Sequence, residues 1–443
     1  MNTALPEAFI VRMRAQLGPD ADAFFAALEQ PYQRGLRLNP RKPLRALPEG
    51  VLDSVPWNPA FGRYLSQESA AGLDPLHEAG AYYIQEPSAM APVTVLAPKP
   101  GERVLDLCAA PGGKSTQIAD ALAGRGLLVS NEPVPGRAKI LSRNMERMGV
   151  PNALVVCAKP ERLAPLWEER FDAVLVDAPC SGEGMFRRHP ETRDEWTAQS
   201  PEGCAGRQRD ILHCAARMTR PGGRLVYSTC TFNQLENEGV VEAFLQDHPD
   251  WRAEAFSLEI GAGRRLCAAE GMLHLYPHVL RGEGHFVALL CRKGEACREP
   301  LEDAAKLLAA PEKSMLQAWQ TFAGAFGGCL PTPNAQWGDA LLSVPPLPPL
   351  TGVAVLRAGI RLGSLKGKVF APDHALAMVL ERPGDYPHME LSREQALDYQ
   401  RGETLETRLS GYGLACYQGL ALGFGKGSEG RLKNHYPKGL RRP

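Results

Sequence analysis

The chain is predicted to be an α/β protein centred on a doubly wound, mostly parallel sheet, and three observations predict it. Between residues 81 and 293 short apolar strands alternate with helix-length segments, the pattern of a parallel sheet covered by helices on both faces. The first of these strands opens into a glycine-rich turn, Asp106-Leu107-Cys108-Ala109-Ala110-Pro111-Gly112-Gly113-Lys114. Two later strands end in short signatures, Asp177-Ala178-Pro179-Cys180 and Ser228-Thr229-Cys230-Thr231, and the carboxyl ends of parallel strands are where such sheets place their chemistry.

The elements follow in order. At 443 residues the chain exceeds one ordinary core, so several domains are expected. Residues 1–80 read as a helical subdomain with one strand-like island, Gly35-Leu36-Arg37-Leu38-Asn39. Within 81–293 strands are predicted near 103–108, 127–131, 154–158, 173–178 and 224–229, with helices over Ser115–Ala123 and Arg137–Met148. The runs Met272–Tyr276 and His285–Leu290, joined by a short glycine-containing stretch, predict an antiparallel hairpin closing the sheet. Residues 294–385 read as a linker and intermediate subdomain: Glu295–Gly324 is helix-like, and Leu341–Leu350 is too proline-dense for a helix or a central strand. A small α+β domain is expected over 386–443, ending in the basic stretch Arg431–Arg442.

Composition narrows the function classes. Fifty basic residues balance fifty acidic ones, so net charge argues neither for nor against a polyanion partner. Eleven cysteines lie without a regular framework, several in apolar segments, as Cys157, Cys214 and Cys291 do; this suits a reducing compartment. Met1–Leu17 carries Glu7, Arg12 and Arg14 among its apolar residues, as an amphipathic helix does and a secretory signal does not. No stretch approaches the roughly 18 apolar residues of a membrane span, and a cytoplasmic location is expected. Cys204 and Cys214 have only His213 nearby, which is not a zinc-ligand spacing, so no metal is expected.

The glycine turn suits close approach of a ligand to the backbone, with a helix N-terminus favouring a negative group. It is not a phosphate-binding P-loop, because Cys108 stands where that motif needs glycine. Glu132 ends the second strand about 20 residues on, where an acidic side chain takes the two hydroxyls of a ribose. Together these features predict an adenosine-containing ligand held by residues 108–114 and Glu132. A lone buried cysteine is more often an inert small hydrophobe than a nucleophile. Cys180 and Cys230, however, both fall at the tips of predicted neighbouring strands, framed by small and polar residues, so their sulfurs are expected to converge.

Several long motifs carry a family resemblance: Tyr83-Ile84-Gln85-Glu86-Pro87-Ser88-Ala89-Met90, Asp106–Thr116, Asp177–Arg187, Tyr227-Ser228-Thr229-Cys230-Thr231-Phe232 and Gly282-Glu283-Gly284-His285-Phe286. In this order the chain resembles the RNA 5-methylcytosine methyltransferases of the bacterial ribosomal type, in the branch that modifies small-subunit rRNA; the end segment Leu432–Arg441 is similar to that branch's PUA-like RNA-binding domain. The resemblance implies a Rossmann-like S-adenosylmethionine-dependent methyltransferase sheet, an RNA-contacting N-terminal subdomain, 16S rRNA as substrate and a monomer. It implies Cys230 as the nucleophile toward carbon 6 of cytosine, Cys180 as the helper in carbon-5 proton removal or product release, and Asp177 as the group that holds the ring and adjoins the cofactor. Cys108, Ala109, Ala110, Pro111, Gly112, Gly113, Lys114 and Glu132 would hold S-adenosylmethionine. One departure stands out: Ala158-Lys159-Pro160 occupies the place of the acidic residue that usually meets adenine. A tRNA or DNA cytosine-5 methyltransferase, the latter with the Pro179-Cys180 thiol as nucleophile, and a non-catalytic rRNA-binding assembly factor are the alternatives. The basic end, with Lys433, His435, Lys438, Arg441 and Arg442 around Tyr436, is expected to meet phosphates and stack on a base.

Overall fold

A computed structural model describes residues 4–295 and 299–441. Its centre is the expected parallel sheet. Strands β1 (Arg34–Leu38), β2 (Val51–Ser54), β3 (Gly62–Leu65) and β4 (Tyr82–Ile84) precede it, and β5 (Arg103–Asp106), β6 (Leu127–Asn131), β7 (Ala153–Cys157), β8 (Phe171–Asp177) and β9 (Thr219–Thr229) form it. The spatial order is β7-β6-β5-β8-β9, all pairs parallel. Successive residues of these strands bury against opposite helical layers. Leu105, Val129, Val174 and Leu225 share a core with Leu212 and Met218 of the helix Ser200–Met218, while Val104, Leu128, Leu175 and Val226 pack with Ile118 and Leu141 of the helices Gly113–Leu122 and Pro135–Arg147. Burial on both faces is what makes the strands read as continuous apolar runs.

After β10 (Trp251–Ala253) and the separate hairpin β11 (Phe256–Gly261) and β12 (Arg264–Ala268), the sheet closes with β13 (Met272–Leu275) and β14 (His285–Arg292). β14 lies antiparallel against both β9 and β13, in register Phe286↔Thr229 and Leu275↔His285. Chain order reverses between β5 and β8, so a crevice opens there at the carboxyl ends of the strands, the expected ligand position in such sheets.

The N-terminal region differs from its helical reading. Helices Glu7–Leu17 and Ala21–Glu29 are present, but β1 to β4 then build a four-stranded antiparallel sheet. Strands of three to five residues carrying Arg, Tyr and Asp have too little alternation to be read locally. Their stability is tertiary, since Leu36, Leu65 and Tyr82 share one core with Leu391, Tyr399, Tyr417 and Leu432, about 350 residues further on in the chain.

The single helix expected over Glu295–Gly324 is instead a short turn of helix at Ala304–Leu307 and a helix Lys313–Phe326, with residues 296–298 outside the described residues. Pro300 and Pro311 interrupt the pattern. Strands β15 (Ala335–Trp337), β16 (Ala340–Ser343), β18 (Ile360–Lys366) and β19 (Val369–Pro372) form one sheet, whereas β17 (Ala354–Ala358) leaves it and pairs antiparallel with β7. Residues 294–385 thereby extend the central sheet and cover its edge. The chain ends in a five-stranded sheet of β20 (His388–Glu390), β21 (Leu405–Glu406), β22 (Gly411–Tyr417), β23 (Leu420–Ser428) and β24 (Arg431–Asn434), with the helix Arg393–Arg401 started by a Ser392/Gln395 capping box. Among the described residues no helix is long and apolar enough to cross a membrane.

Candidate active site

The two signatures meet because β8 and β9 are parallel neighbours, in register Asp177↔Ser228. Cys180 Sγ and Cys230 Sγ lie 3.3 Å apart, close enough for one thiol to donate to the other and too far for a disulfide. The hydrogen bond to Cys230, together with burial, raises the Cys180 thiol well above its ordinary value.

Asp177 sits beside them at the end of β8. Burial opposes its ionisation, yet Lys114 Nζ 2.8 Å from Oδ2, and His285 Nε2 3.6 Å from Oδ1, hold the carboxyl well below the usual range. Ser228 Oγ donates to Oδ1 at 2.9 Å. Lys114, grouped by the sequence with the glycine turn, thus acts on the carboxylate of the next strand. Ser228 and His285 were legible only as parts of motifs, since their role depends on β9 and β14 flanking one another.

Two buried glutamates fix the cysteine loops. Glu236 accepts from Ser181 N and Gln208 Nε2, both at 2.9 Å, and from Ser181 Oγ, so it ties the Cys180 turn to the segment following Cys230. Glu183 accepts from Phe232 N at 3.1 Å and from Arg12 at 2.7 Å, bringing the N-terminal helix into the site. Gly184 N donates to the Cys230 carbonyl at 2.7 Å, and a Cβ on Gly184 would fall 2.7 Å from that oxygen. Glu183 and Gly184 were legible only as parts of the Asp177–Arg187 motif and Glu236 not at all, because an acid or glycine in a loop carries no sign of its distant partner.

The glycine turn has a second structural purpose. Gly112 adopts φ +115°, and a Cβ on it would press on Leu141 at 3.2 Å; a Cβ on Gly113 would lie 3.3 Å from the Tyr83 ring. Backbone conformation therefore favours glycine at 112, and close packing leaves little room for a side chain at either position, whatever ligand approaches. Arg37 is buried and donates to Gly113 O at 2.8 Å and Thr116 Oγ1 at 2.7 Å, anchoring the turn to β1. At the end of β5, burial pushes the Asp106 carboxyl up to about 7, and its Oδ1 is buried with no partner while Oδ2 accepts from Ser115 at 2.6 Å. Glu132 is buried just past β6 and accepts from Val134 N at 3.0 Å, with Arg137 3.5 Å from its other oxygen. Ala158 N donates to Asn131 Oδ1 at 3.1 Å, so the segment lacking an acidic side chain is bound to the end of β6 through its backbone.

The basic end corrects one expectation. Tyr436 is 2% exposed and packs edge-on against His374 and Tyr399, with ring centroids 5.6 and 5.5 Å away. Its hydrophobic ring completes the core shared with β1 to β4, leaving no face for a base. Arg442 lies outside the described residues. A cleft of about 840 Å³ lined by Gln33, Tyr64, Arg187 and Arg281 contains none of the catalytic or cofactor residues predicted from sequence, although Arg187 and Gly282 belong to the quoted motifs. Charge, thiols and unpartnered buried atoms coincide instead at the sheet crevice, which makes it the candidate site.

Comparison with known proteins gives a consistent picture. Residues 93–291 match the family described as 16S rRNA methyltransferase RsmB/F, and residues 5–87, 321–380 and 386–442 match the N-terminal domain of 16S rRNA methyltransferase RsmF, the RsmF rRNA methyltransferase first C-terminal domain and the methyltransferase RsmF PUA domain. The chain is 34% identical to the ribosomal RNA small subunit methyltransferase F of Erwinia tasmaniensis, over 98% of this chain and 96% of the relative. The protein of that name from Klebsiella pneumoniae is also 34% identical, with the same coverage. Among solved structures, a methyltransferase homolog protein from Pyrococcus horikoshii is 29% identical with a TM-score of 0.56, covering 66% of this chain and 96% of that one. NSun6 from Pyrococcus horikoshii with SFG, 22% identical with a TM-score of 0.56 over 67% of this chain and 100% of that one, shares the fold.

Proposed function

The chain belongs to the 16S rRNA methyltransferase RsmB/F family, and from that premise we propose that it methylates carbon 5 of a cytosine in small-subunit rRNA through a covalent adduct with Cys230. The observation that carries this reading is the pair of sulfurs 3.3 Å apart beside a carboxylate held ionised by Lys114. Carbon 5 of cytosine is a weak nucleophile. Addition of the Cys230 thiolate to carbon 6 forms a C–S bond and turns carbon 5 into an enamine carbon. Asp177 accepts from the exocyclic amino group and orients the ring; as the electron pair shifts, the ring nitrogen takes a proton from water and gives it back when the C5=C6 double bond re-forms. The departing Cys230 sulfur then takes the proton of the Cys180 thiol, the C6–S pair returns to that sulfur, and Cys180 receives the carbon-5 proton as the C5=C6 double bond re-forms. Protons balance, and Cys180 ends as it began.

S-adenosylmethionine supplies the electrophilic methyl group when bound. The residues present fit it: the unpartnered Asp106 Oδ1 and its raised carboxyl suit a cationic ligand group, which would favour the ionised form. The turn from Cys108 to Lys114 would hold the methionine portion and Glu132 the ribose hydroxyls. Hydrogen bonds to a charged acceptor are worth about 1.5–3 kcal/mol, so Glu132→Ala is expected to weaken cofactor binding more than tenfold in calorimetry; unchanged affinity would remove Glu132 from the site. Gly184→Ala is expected to displace the Cys230 backbone and lower single-turnover methyl transfer on the order of 10²-fold, with cofactor affinity retained.

Bisulfite mapping of 16S rRNA from cells lacking the protein is the direct test. Loss of protection at one or more cytosines, restored by the wild-type gene, is the expected result; a full set of protected cytosines overturns the reading.

A further inference from the structure

On the face of the C-terminal sheet, Tyr412, Lys426 and Lys433 are direct neighbours across three strands, in register Tyr412↔Lys426 on β22 and β23 and Lys426↔Lys433 on β23 and β24. Two lysines directly opposite one another on adjacent strands repel. Both are exposed, and among the described residues neither has an ion-pair partner. The turn between β18 and β19 brings two further exposed lysines, Lys366 and Lys368, to the same place. Burial and then Lys366, Lys433 and Lys426 push the His435 imidazole down, and no carboxylate contributes. Lys368 and Lys426 also line a cleft of about 330 Å³ with Phe322, Phe326, Phe370 and Tyr412, again without an acidic residue in its wall.

In a chain of zero net charge this cluster has no acidic compensation, and its one contact among the described residues is cationic on aromatic, Lys426 Nζ lying 5.3 Å from the centroid of the half-buried Tyr412 ring. Cationic side chains beside an accessible aromatic ring are the arrangement that tracks a single-stranded nucleic acid, phosphates on the lysines and a base on the ring. We propose that the cleft between β18–β19 and β22–β24 binds a single-stranded segment of the RNA substrate, with Lys366, Lys368, Lys426 and Lys433 on phosphates and Tyr412 against a base. The site belongs jointly to the two C-terminal modules, so it forms only when they are docked. It rests on the reading of the chain as an rRNA enzyme and relocates the RNA contact from Tyr436 to Tyr412.

The test uses the full-length protein and a 16S rRNA fragment that contains the methylated cytosine, with binding followed by fluorescence anisotropy against salt. The Lys368→Ala/Lys426→Ala variant, altered only at exposed positions, is expected to bind about tenfold more weakly and to lose about 1.4 from the slope of log K against log salt, while kcat at saturating RNA stays within about twofold of wild type. Tyr412→Ala is expected to weaken binding about fivefold or more without changing that slope. Wild-type affinity and slope in the lysine variant overturn the site. So does a defect seen only with assembled subunits and not with naked RNA, which would assign the patch to a protein. The function and the site fail separately: a wild-type protein that binds RNA through these lysines but places no methyl on carbon 5 overturns the former alone, and carbon-5 methylation with an unaffected lysine variant overturns the latter alone.

Discussion

Cys180→Ala is expected to accumulate a protein–RNA conjugate that survives denaturing electrophoresis, whereas Cys230→Ala binds RNA, forms no conjugate and transfers no methyl group. The two thiols are near-equivalent by position, each at the tip of a neighbouring strand, but not by chemistry. The hydrogen bond shared with Cys230 and burial push the Cys180 thiol up, which suits a proton donor to a leaving sulfur better than an attacking thiolate. Removing it leaves Cys230 able to add to carbon 6 and unable to depart. The conjugate should require both the cofactor and the folded RNA, because the base must leave its stack to reach a sulfur beside Asp177. Labelled 16S rRNA fragment incubated with each variant, then run under denaturing conditions, measures this. Conjugate with Cys230→Ala and none with Cys180→Ala reverses the roles and matches the DNA-type arrangement, in which the Pro179-Cys180 thiol attacks.

Truncation after residue 385 is expected to unfold the protein and not merely to weaken its grip on RNA. The deleted segment supplies Leu391, Tyr399, Tyr417, Leu422 and Leu432 to the core that covers β1 to β4, and Leu414 and Phe424 to the core holding Phe322, Phe326 and Leu362. Each large apolar side chain contributes about 1.5–3 kcal/mol on full burial, against a net stability of about 5–15 kcal/mol for a domain. Seven such residues supply about 10–20 kcal/mol, as large as that whole margin, and their former partners would be left exposed to water. Calorimetry and soluble yield check the outcome. A truncated chain that melts within a few degrees of the intact one would show the N-terminal sheet to be self-sufficient. Point substitutions at exposed lysines are the cleaner probe of RNA affinity for this reason.

How far the site was legible depends on the range of the interactions that make it. β5 to β9 were readable because each is an apolar run closed by a turn residue, a signal contained within about ten positions. Cys180 and Cys230 were readable as a pair because parallel neighbours present their carboxyl tips together. The turn from Cys108 to Lys114 was legible as a ligand loop, but that Leu141 and Tyr83 crowd Gly112 and Gly113 was not.

By itself, then, the sequence determined the central parallel sheet, its closing hairpin and the strand tips that carry the thiols and Asp177, since local apolar patterning and turn chemistry suffice for these. Only the tertiary structure decided that Lys114 and His285 keep Asp177 ionised, that Glu236 clamps the two cysteine loops, that residues 34–84 form a sheet and that Tyr436 is core while Tyr412 stays partly exposed. Lys114 and Asp177 are 63 positions apart, and Ser181 and Glu236 are 55 apart. The burial that gives such pairs their strength, and that hides one tyrosine while leaving another at the surface, arises only when distant segments pack and exclude water between them.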